Sequence, residues 1–289
     1  MITIKTREEV RLLRECGRRL AAILAEVVRA VKPGISTLDL DRLAESLILE
    51  SGGAPAFKGY KIAGAKMSYP ASLCASVNDE VVHAIPRKDR ILKDGDIISL
   101  DIAMWWPKEI KNLTFESRAS GRGKFKIKNY PLVTDMAITV GVGKISEQAE
   151  KLIKVTKEAL DIGVGVVRSG IHIGDIGYAI ERHLNKYNLG IVRNLAGHGV
   201  GHKLHEDPLI PNYGDPGTGV KLKEGMVFAI EPMTTLGGGG VKIQEDGWAI
   251  FYQVFLEEPG QFLQKRPLGF SLRLPLLNRH VFYSNESRA

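Results

Sequence analysis

The stretch GHGVGHKLHEDP, residues 197–208, carries three histidines within eight positions, followed directly by two acidic residues. Imidazole and carboxylate groups bind divalent metal ions and also act as general acids and bases. A zinc finger is excluded because it needs several Cys and His ligands at a fixed spacing, and the chain has only Cys16 and Cys74. The H-E-x-x-H pattern of zinc peptidases is also absent. The stretch therefore predicts a metal site of another kind or a histidine-rich polar loop.

The three histidines of this stretch are expected to differ in role. Glycines flank His198, and we expect them to let the backbone turn sharply and aim this imidazole inward. His205 lies seven residues further on and reaches a different part of a cleft if the segment is an extended loop. His202 precedes Lys203 and is expected to be peripheral.

Three acidic residues lie inside otherwise apolar segments: Asp101 in IISLDIAM, Asp135 in LVTDMAIT and Glu231 in VFAIEPM. A buried carboxylate costs free energy unless a cation or hydrogen bonds compensate it. One such residue at a strand end is commonly a cap, but three together favour a metal centre. Two divalent ions about 4 Å apart can polarise a carbonyl group. Oxygen ligands with a single imidazole suit Mn, Co, Fe and Mg.

Helices and strands must position these side chains. Thr6 and Glu9 form a capping-box pattern that predicts a helix ending before the KPG sequence at 32–34. Apolar periodicity predicts three further helices: LDLDRLAESLILESG, SEQAEKLIKVTKEALDIGVGVV and IGDIGYAIERHLNKYN. Strands are predicted in SLCASVN, EVVHAIP, KDGDIISLDIAM and PLVTDMAITVGVG, with short strands and loops from 191 to 255.

Two pairs of segments repeat in the same order and at nearly the same offset. They are KDGDIISLD (93–101) with KEGMVFAIE (223–231), and VKPGISTLDLDRLAESLI (31–48) with VRSGIHIGDIGYAIERHL (167–184). This internal repetition predicts two similar α/β halves packed as one unit. It places Asp101 and Glu231 at equivalent strand ends, and a seam between such halves is a natural position for a site.

Length and composition indicate a globular protein. The 289 residues, 44% hydrophobic and 25% charged, suit one large or two small domains. The start MITIKTREEV lacks a signal-peptide pattern and no segment reaches membrane-spanning length, so we expect a cytoplasmic protein. The net charge of +7 is concentrated in residues 108–128 and 259–289. Such basic segments attract phosphate groups, although solvated loops are their commoner role.

Five segments, in this order, resemble motifs of the type I methionine aminopeptidases: SLCASVNDEVVHAIP, KDGDIISLDIAM, VTDMAITVGVG, AGHGVGHKLHEDP and KEGMVFAIEPM. The resemblance spans residues 1 to about 250. It implies the α+β pita-bread fold, two pseudo-symmetric halves with a central antiparallel sheet. A domain at 1–250 would carry a basic insert at about 105–131, and an atypical tail would follow at 251–289.

The same resemblance implies a function. The expected activity is removal of the initiator methionine from nascent chains, catalysed by two divalent ions drawn from Co, Mn, Fe or Zn. We expect a monomer whose substrates are N-terminal Met peptides, with the ribosome surface as a candidate partner and no membrane partner.

The resemblance implies four metal ligands. Asp101 would chelate one ion and Asp135 would bridge both. His198 would bind the second ion. Glu231 would be a ligand and would also accept the proton of the attacking water.

Five further residues are implied near the substrate. His205 would contact the scissile amide and stabilise the developing oxyanion. His83 would hydrogen-bond the residue after methionine and assist the leaving amine. Tyr60, Cys74 and Trp248 would surround the methionine side chain, since soft and aromatic groups suit a thioether.

The sequence departs from the family pattern after EDGW. The family's last ligand is a glutamate in a motif like FEHT, and the corresponding position falls near Phe262, in QFLQ. Glu257 and Glu258 are nearby, but EEPG is typical of a turn. Without that glutamate we expect weakened occupancy of one metal site and low peptidase activity. Two segments near the cleft mouth are also longer than usual, 105–131 and KIAGAKMS after Tyr60.

Three functions remain open at this point. The first is a metal-dependent aminopeptidase for N-terminal methionine. The second, on the same fold, is an X-Pro-type peptidase. The third is a catalytically weak or inactive pita-bread protein that binds peptide or nucleic acid without cleaving it, as the missing glutamate and the basic segments favour.

Overall fold

The computed structural model describes residues 1–62, 66–108 and 131–253 with their side chains. It also gives the backbone of four short strands outside these ranges: Thr114–Glu116, Lys124–Lys126, Pro275–Leu277 and His280–Tyr283. Most of the predicted insert and tail therefore lies outside the described residues. Among the helices of the described ranges, none combines the length and hydrophobicity that a bilayer crossing requires.

Four helices are present in the described residues: α1 (Arg7–Ala30), α2 (Thr37–Glu50), α3 (Glu147–Gly165) and α4 (Ile173–Asn185). The predicted capping box is confirmed at the start of α1. The Thr6 hydroxyl accepts the Glu9 backbone N–H at 3.2 Å, and the Glu9 carboxylate accepts the Thr6 N–H at 2.8 Å. These bonds satisfy two backbone donors that the first turn otherwise leaves without a partner. The helix ends at Ala30, before Pro33, because proline cannot continue it.

The strands are short except for two. In chain order they are β1 (Ala54–Pro55), β2 (Leu73–Val77), β3 (Glu80–Val82), β4 (Ile97–Trp106), β5 (Thr114–Glu116), β6 (Lys124–Lys126), β7 (Leu132–Gly141), β8 (Gly190–Ile191), β9 (Gly197–Gly199), β10 (Glu206–Ile210), β11 (Val227–Ile230), β12 (Met233–Thr235), β13 (Val241–Ile243), β14 (Ile250–Tyr252), β15 (Pro275–Leu277) and β16 (His280–Tyr283). Every pairing between them is antiparallel, as predicted.

The first half of the chain is organised around β4. This strand pairs with β7 over its whole length, and with β1 and β2 on its other edge. Helix α1 packs against β4 and β7, and its buried face is apolar. Leu13, Cys16 and Leu20 on that face are fully buried, so the helix fixes the back of the sheet. Burying such side chains is worth roughly 2 kcal/mol each.

The second half repeats this arrangement with shorter strands. Strand β9 pairs with β10 and β11, β11 pairs with β16, and β12 pairs with β8 and β15. Helices α3 and α4 pack against each other and on these strands. Their apolar residues form a second core with Phe228 and Ile230 of β11. A separate three-stranded sheet joins β3, β14 and β13.

Equivalent contacts confirm the predicted repeat. The Gly34 N–H donates to the Leu92 carbonyl at 2.8 Å, and the Gly170 N–H donates to the Leu222 carbonyl at 3.0 Å. Both glycines have positive φ, 90° and 95°, which a residue with a Cβ rarely adopts. In the first half the glycine turn precedes α2 and the carbonyl precedes β4. In the second half the glycine turn precedes α4 and the carbonyl precedes β11. Each half therefore has the same hydrogen bond between the turn before its helix and the segment before its strand.

Candidate metal centre and substrate cavity

The register of β4 and β7 places two predicted ligands on one face of the sheet. Asp101 lies opposite Ala137, and Asp135 lies opposite Ala103. Side chains alternate faces along a strand, so residues two apart and residues directly opposite share a face. Both carboxylates are almost fully buried, with 2% exposure for Asp101 and 0% for Asp135. An acid in this position needs a compensating partner.

His198 lies at the centre of β9, between two glycines. The expectation that these glycines allow a sharp turn is wrong, because both have extended strand backbone. They are needed instead because neighbouring strands come very close. A Cβ on Gly197 would overlap the carbonyl of Ala229 in β11, and a Cβ on Gly199 would overlap the carbonyl of Asp207 in β10. The small residues let β10 and β11 approach the strand that carries His198.

Three buried side chains converge here: Asp135, His198 and Glu231. One ligand atom from each lies within 4.8 Å of the other two. The His198 Nε2 is 3.2 Å from a Glu231 carboxylate oxygen and 3.5 Å from one of Asp135. Its Nδ1 lies 2.8 Å from the Gly199 carbonyl, which can only accept a hydrogen bond. Nδ1 therefore carries a proton and Nε2 is directed at the two acids, the arrangement typical of a metal-binding histidine.

The electrostatics of this group require a positive charge. Burial by itself lowers the pKa of His198, but the charges of Glu231 and Asp135 outweigh it and raise the pKa to about 10. Without another cation, the imidazole therefore takes a proton to offset the carboxylates. A divalent ion with ligand bonds of about 2.0–2.2 Å would sit between three atoms spaced in this way. The donor set therefore fits a divalent metal ion.

Asp101 is not part of that tight group, among the described residues, although it shares the face of β4 and β7 with Asp135. The four predicted ligands are thus divided. Three lie close enough to hold one ion, and Asp101 lies further along the same face. This division is the geometry to be expected if Asp101 contributes to a second, adjacent position.

A cavity of about 660 Å³ opens onto this group. Its wall combines polar residues of the predicted site with apolar ones: Met1, Thr3, Val82, His83, Leu195, Ala196, His198, His202, Lys203, His205, Glu206, Asp207, Leu209, Glu231 and Met233. Cavities of this size, with a few convergent polar groups in an apolar wall, bind small ligands or the end of a peptide.

His205 lies beside the cluster of Asp135, His198 and Glu231. Its ring centroid lies 4.3 Å from that of His198. Its Nδ1 is 2.7 Å from the Tyr60 hydroxyl. Burial raises the pKa of Tyr60, so this hydroxyl stays protonated and can donate to Nδ1. The proton of a neutral His205 ring is then on Nε2, where it can serve as a hydrogen-bond donor.

His83 and Trp248 lie together on another part of the site. Their ring centroids are 6.5 Å apart, nearly perpendicular. His83 has φ of 60°, an uncommon conformation for a residue with a side chain. Strained backbone of this kind is frequent at functional sites, and His83 also lines the cavity. Cys74 is buried in β2 directly opposite Asp101.

His202 is the histidine expected to be peripheral. Its Nε2 lies 2.8 Å from a Glu9 carboxylate oxygen, so it ties the loop to the first turn of α1. It lines the same cavity as His198 and His205 but does not belong, among the described residues, to the cluster of three side chains that could hold a metal ion. The three histidines therefore have different surroundings, and the roles expected for them stay predictions.

Two residues near the site were missed from the sequence. Tyr69 is buried edge-to-face against Trp248, 5.1 Å between ring centroids, and donates its hydroxyl to the Leu73 and Ala84 carbonyls. Asn212 is fully buried and donates to the Glu231 carbonyl at 2.6 Å. No sequence signal identifies either residue, because their partners are backbone groups distant in the chain.

Strands of the tail flank Glu231. Strand β16 pairs with β11, which precedes Glu231, and β15 pairs with β12, which follows it. The two tail strands, PLL and HVFY, contain no carboxylate. Phe262, Glu257 and Glu258 lie outside the described residues. The missing final glutamate therefore stays a prediction.

Known proteins resemble this chain closely. A model described as metallopeptidase family M24 matches residues 11–109 and 127–250. The methionine aminopeptidase of Clostridium acetobutylicum is 41% identical over 253 residues, covering 88% of this chain and 90% of that protein. The structure of methionine aminopeptidase from Thermotoga maritima has a TM-score of 0.78 at 32% identity, covering 98% and 95% of the two chains. Prolidase from Thermococcus sibiricus has a TM-score of 0.62 at 18% identity over 99% of this chain and 59% of its own, a likeness of fold alone.

Proposed function

This chain belongs to metallopeptidase family M24, and from that premise we propose that it removes the N-terminal methionine from peptide and protein chains in a metal-dependent reaction. One observation carries the proposal. Asp135, His198 and Glu231 form a buried cluster whose two carboxylates need a compensating positive charge. The cavity beside this cluster is also lined by His83 and His205. A peptide terminus entering that cavity meets ligands for a metal ion and two imidazoles.

Asp101, Asp135, His198 and Glu231 are the proposed metal ligands. When bound, divalent ions supply positive charge that polarises the scissile carbonyl and makes water a stronger nucleophile. The Glu231 carboxylate accepts the proton that the attacking water loses. The Asn212 amide fixes its backbone by donating to the Glu231 carbonyl.

Two histidines act on the substrate amide. The Tyr60 hydroxyl holds the Nδ1 of His205, so that Nε2–H donates a hydrogen bond to the oxygen on which negative charge develops. Removing one such donor typically costs about 100-fold or more in kcat. His83 hydrogen-bonds the residue after methionine and assists departure of the new amine.

The methionine side chain is proposed to occupy the region bounded by Tyr60, Cys74 and Trp248. Trp248 and Cys74 are both buried, and Tyr69 packs between Phe57 and Trp248. A thioether is polarizable and makes favourable contacts with aromatic rings. This wall therefore favours methionine over a charged or strongly polar first residue.

The positions of the candidate ligands support a proposal for the number of ions. Asp135, His198 and Glu231 each offer one ligand atom within 4.8 Å of the other two, and together they would hold one ion. Asp101 would be the main further ligand for a second ion, without the final glutamate that the family pattern has near Phe262. We propose a tight site and a weaker one, with Co, Mn, Fe or Zn selected by availability.

Hydrolysis of Met-Gly-Met-Met in the presence of Mn²⁺ or Co²⁺ tests the proposal. We expect release of free methionine, and loss of release in Glu231→Gln. Glu158→Gln is the matched control, because Glu158 also lies 3.2 Å from an imidazole, that of His183. Faster cleavage of an X-Pro dipeptide would favour the second peptidase type, and peptide binding without methionine release would favour the non-catalytic alternative.

Association with other molecules remains part of the proposal. Nascent chains bearing N-terminal methionine are the proposed substrates. The basic segments at 108–128 and 259–289 would favour a phosphate-rich surface such as the ribosome. A monomer in the cytoplasm is the proposed form.

A further inference from the structure

A buried ion pair lies next to His205 in the sequence and joins it to the start of the chain. The Lys5 ammonium is 2.6 Å from the Glu206 carboxylate, with side-chain exposures of 1% and 3%. The other close Lys–carboxylate pairs described are exposed, such as Lys157–Asp161 at 2.7 Å. Burying two charges costs desolvation free energy that their attraction does not always recover. Such a pair needs an explanation beyond general stability.

The Glu206 carboxylate holds the loop that carries His205. One oxygen accepts the backbone N–H groups of His202 at 2.6 Å and Lys203 at 2.9 Å. The other oxygen accepts from the Lys5 ammonium and from the Thr3 hydroxyl. The Glu206 side chain thus bonds to the backbone of its own loop and to two side chains of the segment before α1. Burial opposes ionisation of Glu206, but these donors outweigh it and lower its pKa.

The neighbouring contacts complete the anchoring. The Lys5 side chain passes over Gly201, where an added Cβ would lie 2.5 Å from the Lys5 Cε. The Gly201 carbonyl accepts the Val133 N–H of β7 at 2.8 Å, two residues before Asp135. Leu204 is buried in the same hydrophobic core as Leu13 and Leu20 of α1. The loop is therefore fixed to the strand that carries a proposed metal ligand.

His205 itself is exposed to the cavity, while the residues on either side, Leu204 and Glu206, are buried. The Tyr60 hydroxyl and the ring of His198 contact its imidazole, and the next residue, Glu206, fixes the backbone of the loop from which it projects. A displacement of about 1 Å in a catalytic group can cost on the order of 100-fold in rate.

We propose that the Lys5–Glu206 ion pair is a positioning device, which holds the His205 imidazole in place for the reaction. The inference rests on the proposed function of His205. Neither residue is among the groups that we propose to act on the substrate or to hold metal, although Glu206 lines the same cavity, and both act through the loop. A purely structural pair would instead change stability and leave the properties of His205 unaltered.

A double-mutant cycle between Glu206 and His205 tests this role. Glu206→Gln keeps an oxygen that can accept the loop N–H groups and removes the charge that pairs with Lys5. We expect kcat on Met-Gly-Met-Met to fall about 10- to 100-fold, with KM changed less than about threefold. In a His205→Ala background the same substitution should change kcat by less than about twofold, because the group it positions is gone.

Additive losses in the cycle would overturn the proposal, as would a loss of bound metal that parallels the loss of activity. Lys157→Met is the matched control, since it breaks an ion pair of similar length that is exposed and does not line the cavity. We expect it to leave kcat unchanged. Lys5→Met should reproduce the effect of Glu206→Gln if its circular dichroism shows a folded chain.

A readout without activity separates this inference from the proposed function. Imidazole NMR resonances of the metal-free protein can be assigned to His205 by their loss in His205→Ala. We expect them to shift or broaden in Glu206→Gln and to stay in place in Lys157→Met. Unmoved resonances in Glu206→Gln would overturn the positioning role. A folded wild-type chain that releases no methionine would refute the proposed function instead, while the NMR comparison would still decide the inference.

Discussion

Metal binding should be coupled to loss of a proton from His198. In the metal-free protein Glu231 and Asp135 raise the pKa of this buried imidazole to about 10, so it is protonated at neutral pH. A metal ligand must be deprotonated, so an ion has to displace that proton. At pH 7 this costs about 4 kcal/mol, since each pKa unit is worth about 1.4 kcal/mol. We therefore expect the apparent affinity to rise about tenfold for each pH unit above neutrality.

Isothermal titration calorimetry of the metal-free protein with Mn²⁺ measures this coupling. Titrations in buffers of different ionisation enthalpy should give close to one proton released per ion at pH 7. The dissociation constant should fall about 30-fold between pH 6.5 and 8, following the tenfold slope. The physical reason is that one cation replaces another in the same buried group of carboxylates.

Two histidine variants sharpen the test. His198→Gln removes the titrating group, so it should bind the ion more weakly and with little dependence on pH. His183→Gln is the matched control, because its imidazole also lies 3.2 Å from a carboxylate, that of Glu158, but away from the cavity. It should retain the full pH slope. An affinity of the wild-type protein that is flat between pH 6.5 and 8, with no proton release, would refute the reasoning.

Four further predictions follow from the site and its surroundings. The metal-free protein should lose stability as pH rises from 6.5 to about 10, because the folded-state pKa of His198 lies above its unfolded value; denaturant unfolding of the metal-free and metal-loaded forms should show this loss in the former only. Metal analysis after dialysis should find one tightly held ion per chain, and two ions of equal affinity would contradict the expected weak second position. Gly199→Ala should lower the free energy of unfolding by more than about 2 kcal/mol through overlap with the Asp207 carbonyl, whereas Gly165→Ala, which meets nothing within 4 Å, should not destabilise the protein. Burial raises the pKa of Cys16 to about 12, so the native protein should not react with a disulfide reagent at this thiol at pH 8, and rapid modification without unfolding would contradict the burial.

Local patterns explain most of what was predicted correctly. The capping box at Thr6 involves residues three apart, and the structure confirms it. The internal repeat predicted two similar halves because the same turn, strand and helix recur, and equivalent glycines at 34 and 170 make equivalent hydrogen bonds. Carboxylates within apolar strands predicted a charged centre because burial of an acid requires compensation. Each of these signals lies within a short window of sequence.

The glycines around His198 show where such reasoning fails. Glycine in a sequence indicates either unusual backbone dihedral angles or close approach of another chain segment. Local sequence does not distinguish the two at Gly197 and Gly199. The answer depends on the carbonyls of Ala229 and Asp207, which belong to strands that pair with β9 only in the folded protein.

The sequence by itself determined the secondary structure, the repeat and the residue types of the metal centre, because each depends on neighbours along the chain. Only the tertiary structure decided which acids lie close to His198, since that depends on strand register. It also revealed the Lys5–Glu206 pair, whose partners are 201 residues apart. Contacts between such distant residues leave no periodic or local signal, because they form only when the two segments are packed together.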